Sequence, residues 1–150
     1  MRYVTFLLFT ALFWGCATKI PSYQNIKINK AYFQGSSKEK KLVSAFANYW
    51  QARIKGDYKT SFSYELPYQQ YIKDFNKYKE LIGGIYKGTT ITLKNIKYSH
   101  PNIAIVTRVV KIGKNLYPRK DKWIYIDGKW YHKFYQTILP PRNPEDADFQ

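Results

Sequence analysis

The hydrophobic period changes once along this chain, and that change limits the folds open to it. Between residues 40 and 82 apolar side chains recur three and four positions apart, which gathers them on one face of a helix. Between residues 89 and 139 they tend to alternate, as in a strand with one face buried. A block of helices followed by a block of strands predicts an α+β layout, with helices laid on an antiparallel sheet.

The punctuation of each block sharpens this. Ser37 reads as an N-cap, with Glu39 in the first turn after it. Val43, Phe46, Trp50 and Ile54 then form a stripe, flanked by Leu42 and Tyr49, until Gly56 closes the helix. Asp57 caps a shorter helix over residues 58–63. Beyond Leu66-Pro67 the spacing predicts a third helix over residues 69–82, burying Tyr71, Ile72, Phe75, Tyr78, Leu81 and Ile82 and stopping at Gly83-Gly84.

In the strand block, Ile91 and Leu93 share one parity while Ile96 and Tyr98 share the other, so a bulge is expected near Lys94-Asn95. Residues 103–112 carry Ile and Val on both parities and suit a central strand. Asp127-Gly128 predicts a two-residue type I′ hairpin between strands over residues 119–126 and 129–139. Pro140-Pro141 stops the last strand, and the polar residues 141–150 form a disordered tail. The expectation is three N-terminal helices packed on a curved four-stranded antiparallel sheet, within one domain over residues 38–140.

The start of the chain speaks to location. Arg2 precedes an apolar run over residues 3–14. A bilayer-spanning helix needs roughly 17–25 apolar residues, so this shorter run fits the core of a signal peptide, residues 1–15. The sequence Leu12-Phe13-Trp14-Gly15-Cys16 resembles the lipobox of bacterial lipoproteins, with Phe13 and Trp14 where that family commonly has Leu and a small residue. The resemblance implies cleavage between Gly15 and Cys16 and acylation of the Cys16 thiol, palmitate among the chains. The exported protein would then be anchored in a membrane facing the periplasm. Ala17 stands where an acidic residue would retain it at the inner membrane, which favours the outer one. A single cysteine makes no internal disulfide. Residues 16–37 read as a polar tether with a short strand at 23–28; some 20 extended residues reach about 65 Å.

Charge narrows the partners. The chain carries 25 Lys and Arg against 10 Asp and Glu, a net +15. Export excludes nucleic acid as the natural counterpart. The lysines are spread along the chain, so they either solvate the surface or meet an anionic envelope component or a protein partner, with Lys94, Lys97, Arg108 and Lys111 as candidates for such a face. The 15 tyrosines suit a thin-cored, β-rich domain or an aromatic-lined surface.

Three stretches carry a wider resemblance: Lys55-Gly56-Asp57-Tyr58, Tyr64-Glu65, and the residues WIYIDGKWY at 123–131. Their order resembles the nuclear transport factor two-like superfamily, a cone-shaped α+β fold, with a cystatin-type domain as the other layout that fits. The resemblance implies that the cone either is filled or holds a ligand. Its candidate lining is Tyr49, Trp50, Phe75, Tyr78, Trp123, Trp130, His132 and Phe134. It also implies Asp57, Tyr64, Glu65 and His132 as the groups open to proton transfer, none of them aligned with a family catalytic position. Asp57 is accounted for as a helix cap. His132 shares strand parity with Trp130 and Phe134, so it faces the core or the cone; burial beside a carboxylate would raise its standing as a catalytic group.

Two histidines and one cysteine make a metal site improbable, and neither a nucleophile elbow nor a phosphate loop is present. The expectation is a non-enzymatic, cofactor-free, lipid-anchored cell-envelope protein with a small binding domain, monomeric or homodimeric. The alternative is a periplasmic small-molecule carrier or sensor with an aromatic-lined cavity.

Overall fold

A computed structural model describes residues 19–32 and 35–134. The expected signal peptide over residues 1–15, its expected cleavage and acylation site at Gly15 and Cys16, and the expected C-terminal tail lie outside the described residues.

Helix α1, Ser37–Lys55, is the spine of the domain. Ser36, one residue earlier than expected, is its N-cap: the Ser36 hydroxyl accepts from the Glu39 amide at 3.2 Å. The Glu39 carboxylate reaches back to the Gly35 amide at 2.9 Å, so two otherwise orphaned donors are met at the helix start. Gly56 ends the helix in the left-handed conformation, φ 72°, which a glycine adopts without steric cost. Asp57 then accepts from the Thr60 amide at 3.0 Å and starts α2, Tyr58–Phe62, as expected.

The third expected helix is two helices. α3 spans Pro67–Ile72, and α4 spans Phe75–Ile82. Lys73 is extended between them, and the Asp74 carboxylate accepts from the Lys77 amide at 2.9 Å, so a fresh helix begins there. Half of the expected stripe is exposed, Tyr71 at 90%, Ile72 at 63% and Phe75 at 37%; Leu81 and Ile82 are half-buried, and only Tyr78 is fully covered.

Among the described residues the sheet has five strands in sequential order: β1 Ile26–Ile28, β2 Thr90–His100, β3 Ile103–Ile112, β4 Asn115–Ile126 and β5 Lys129–His132. β1 runs parallel to β2, and every other pair is antiparallel. The expected layout of three helices on a four-stranded antiparallel sheet is therefore corrected to four helices on a five-stranded mixed sheet. The added strand comes from the stretch read as tether. Ile26 lies opposite Ile91 in the ladder and is buried with it, and backbone bonds from Ile91 N to Asn25 O (2.9 Å) and Asn29 N to Leu93 O (3.1 Å) hold it there. β4 begins earlier than expected, and β5 ends at His132 among the described residues.

The bulge expected near Lys94-Asn95 is present, as a register shift between Leu93 and Asn95. It lets Ile91 and Leu93, and then Ile96 after it, share the inner face. Asp127 and Gly128 turn the chain with positive φ at both, 48° and 84°, as a type I′ hairpin requires. α1 touches both outer strands, β1 and β5, so the sheet curls around it. The core between them holds Leu42, Val43, Phe46 and Tyr49 of α1 against Ile91, Leu93, Ala104, Val106, Trp123 and Trp130. Each large side chain so covered contributes about 1.5–3 kcal/mol.

Candidate functional site

Two polar constellations lie on the inner side of the sheet. The first is built by a backbone bridge. Residues 64–66 run beside β5: the His132 amide donates to Tyr64 O at 2.7 Å, and the Leu66 amide donates to His132 O at 3.1 Å. This short parallel pairing sets Glu65 next to His132. Glu65 Oε2 lies 3.0 Å from His132 Nδ1. Glu65 Oε1 accepts from the Tyr49 hydroxyl at 2.9 Å and from the Tyr78 hydroxyl at 3.1 Å. The Tyr78 hydroxyl is also 3.0 Å from Ser61 Oγ, which itself donates to Tyr58 O. All five side chains are buried, Glu65 and Ser61 completely.

Rings close over the hub. Tyr49 stacks on His132 with centroids 4.4 Å apart, and Trp123 and Trp50 meet the imidazole edge-on at 5.3 and 6.2 Å. Burial pushes the Tyr49 hydroxyl well above its ordinary pKa, and the nearby Glu65 charge pushes it further. Tyr78 is raised for the same two reasons in the same order. Both tyrosines therefore stay protonated and act as donors to the carboxylate.

The second constellation opens to solvent. The C-terminal half of α1, residues 84–86 after α4, and strands β2 and β3 enclose a cavity of about 250 Å³. Its polar lining includes Arg53 and Arg108. Its apolar lining is Trp50, Ile85, Ile91, Val110 and Ile112, and among the described residues no carboxylate lines it. Arg108 is fixed by Asp121, whose two oxygens lie 3.0 and 2.8 Å from Arg108 Nε. Asp121 also takes the Trp50 indole N–H at 2.9 Å. The Arg108 guanidinium lies over the Trp50 ring, 3.9 Å from its centroid, a favourable cation–π placement. Arg53 approaches the same ring at 5.9 Å. Its Nη2 donates to Ile82 O at 2.9 Å and to Gly83 O at 3.1 Å, at the C-terminal end of α4, where helix carbonyls favour a cation.

The expected pocket residues do not line one cavity. Tyr49, Trp50, Trp123 and His132 form a single nest, and Tyr78 and Phe134 adjoin each other at 5.7 Å. Trp130 packs on Tyr98 and Tyr125, and Phe75 packs on Phe62 at the periphery. Of the eight, Trp50 alone lines the 250 Å³ cavity. Asp57 serves as a cap and is held below the usual carboxylate range by the Thr60 amide. Tyr64 receives the Asn48 side-chain amide at 3.2 Å.

Lys94 and Lys111, with Lys27, line a groove of about 370 Å³ together with Thr90 and Thr92, on the opposite sheet face. Arg108 does not join them, because its parity on β3 turns it inward to Asp121. Sequence reasoning gave Glu65 no partner and passed over Arg53 and Asp121. Arg53 carried one usable signal, its place three residues after Trp50 and seven after Phe46, on the buried side of an amphipathic helix. Among the described residues, no group of three or more His, Cys, Asp or Glu could hold a metal ion, and no helix is long and apolar enough to cross a membrane.

No family model matches the chain, and no curated protein matches it. A solution structure of a SEC-C motif containing protein from Rhodopseudomonas palustris superposes with a TM-score of 0.44 at 11% identity, covering 67% of this chain and 78% of that one.

Proposed function

We propose that this protein is a non-catalytic, lipid-anchored component of the bacterial cell envelope whose α+β domain binds a ligand or partner. One contrast carries the reading: the reactive-looking groups are covered, while the open cavity holds none of them. Glu65 meets Tyr49, Tyr78 and His132 through its two oxygens and is fully buried. A general acid or base must reach the atom it serves, and three aromatic rings stand around this imidazole. Burial of His132 beside Glu65 meets the condition that raises its standing as a catalytic group, but neither side chain lines the open cavity, so the contact is read as a structural link that ties the segment after α2 to β5.

The anchor rests on residues 12–16 and their resemblance to a lipobox. Acyl chains at about 0.8 kcal/mol per buried CH₂ would make the attachment lasting. The location that follows is the periplasmic side of a membrane, the outer one by the identity of Ala17.

Fractionation and intact mass test this directly. The expected result is a membrane-associated chain that begins at Cys16 and carries the added mass of its acyl groups, and a Cys16→Ser variant that loses that mass. A wild-type chain of unmodified mass would overturn the anchor. Turnover of any added compound that is abolished by His132→Gln, with the fold retained, would overturn the non-catalytic reading.

A further inference from the structure

We infer that the cavity between α1, residues 84–86 and strands β2 and β3 is a binding site for a small apolar carboxylate, held by Arg53 and Arg108 at its charged end. The inference rests on the reading of the domain as a non-catalytic binding module and names the ligand class for it; it does not depend on the anchor.

The charge balance of the site points to an anion. Arg53 is only 7% exposed and forms no ion pair among the described residues. Its Nε is buried without a hydrogen-bond partner, while Nη2 is held by two backbone carbonyls. A covered guanidinium with an unmet donor is costly, and of the two guanidiniums on the cavity only Arg108 has a carboxylate partner among the described residues, Asp121. Arg108 has its Nε on Asp121, and its terminal nitrogens make no protein hydrogen bond among the described residues. The two cations flank one indole, Trp50, at 5.9 and 3.9 Å. Two guanidiniums against the one carboxylate of Asp121 leave this end of the cavity a net cation, and a planar carboxylate matches the guanidinium fork.

The rest of the cavity sets the remainder of the ligand. Ile85, Ile91, Val110 and Ile112 offer no hydrogen bonds from their side chains, and Thr89 uses its hydroxyl on Tyr86 O at 2.7 Å. A highly hydrated ion such as free phosphate would leave these walls unused. At about 250 Å³ the space is below the usual range for drug-sized ligands, so it suits a short apolar acid. Arg108 is preset by Asp121 and Trp50, and Arg53 by the end of α4, so little ordering is needed when the ligand arrives.

Purified full-length protein is titrated by calorimetry and ligand-observed NMR with 4-phenylbutyrate, 4-phenylbutanol and butyrate, each against a protein-free blank. The expected result is that 4-phenylbutyrate binds at least tenfold more tightly than either the alcohol or butyrate. Equal binding of the alcohol would mean an apolar groove without an anion site, and equal binding of butyrate would mean a bare charge site; either overturns the inference, as does no binding at all. Arg108→Gln is expected to weaken 4-phenylbutyrate tenfold or more and leave the alcohol unchanged, with Lys94→Ala on the opposite face as the unaffected control. Because Arg108→Gln also removes the Asp121 contact, the wild-type ligand series decides the matter if that variant does not fold. Failure of the two readings stays distinct: conversion of bound 4-phenylbutyrate to new resonances sinks the non-catalytic reading and leaves the site, whereas absence of binding sinks the site alone.

Discussion

Glu65 Oε2 sits 3.0 Å from His132 Nδ1 across 67 positions of sequence, and the backbone of the same two segments pairs beside it. Side-chain and main-chain contacts thus fasten one junction twice. Replacing Glu65 with Ala leaves the Tyr49 and Tyr78 hydroxyls without their acceptor in a covered space. Loss of a buried charged partner costs about 3–5 kcal/mol, and urea denaturation of the variant is expected to read a loss of that size. A change under about 1 kcal/mol would mean that the hub adds little.

Alkali should unfold the domain through its tyrosines. Burial raises Tyr98 from 10.0 to about 12, aided by the Glu39 charge, and Tyr49 and Tyr78 are also raised. Between the unfolded and folded values the unfolded chain has lost protons that the folded chain still holds, so stability falls as pH rises. The stabilisation is complete below pH 10.0 and is lost progressively above it, Tyr98 making its contribution up to about pH 12. Urea midpoints measured across pH 8–12 are expected to decline above about pH 10, and Tyr98→Phe should flatten part of that decline.

Asp57 acts at the other end of the scale. Its carboxyl is held below 3.8 by the Thr60 amide, then by the charges of Lys55 and Lys59. The folded chain therefore releases this proton more readily than the unfolded one. The benefit is present above pH 3.8 and disappears as pH falls through the lowered value. Asp57→Asn keeps a cap but removes the charge, so its acid unfolding curve should lose this component while its neutral-pH helix content is retained.

The hairpin between β4 and β5 gives a test of backbone strain alone. Gly128 has φ 84°, and a Cβ added there would meet nothing within 4 Å. Gly128→Ala is therefore expected to cost about 1–2 kcal/mol from conformation and nothing from packing. A neutral result in denaturant titration would show that the turn relaxes to another type.

What could be read from the sequence was local. Gly56-Asp57, the Lys94-Asn95 bulge and Asp127-Gly128 each declare themselves within a few residues, because caps, parity shifts and positive φ are short-range physics. The break before α4 also had a local signal, since Asp74 precedes a helical stretch as Asp57 does, but a continuous apolar period masked it. β1 had no such signal of place. Ile26 and Ile28 mark a strand, yet only the exposed edge of β2, far along the chain, decides that it pairs in parallel. Glu65, Arg53 and Asp121 were opaque for the same reason. Each takes its role from a partner distant in sequence; Asp121 shares the strand parity of Trp123 and so could be placed on the inner face, but its partners Arg108 and Trp50 could not be read from that parity.

The parallel pairing of β1 with β2 also orders events in time. A chain made from its N-terminus brings out Ile26 long before Ile91, its ladder partner, and two further residues of β2, Thr92 and Leu93, must follow to complete the match. Until then the first strand waits unpaired while α1, assembled from neighbours, can already coil. The segment at Ile26–Ile28 is thus committed late, only once the middle of the chain has arrived.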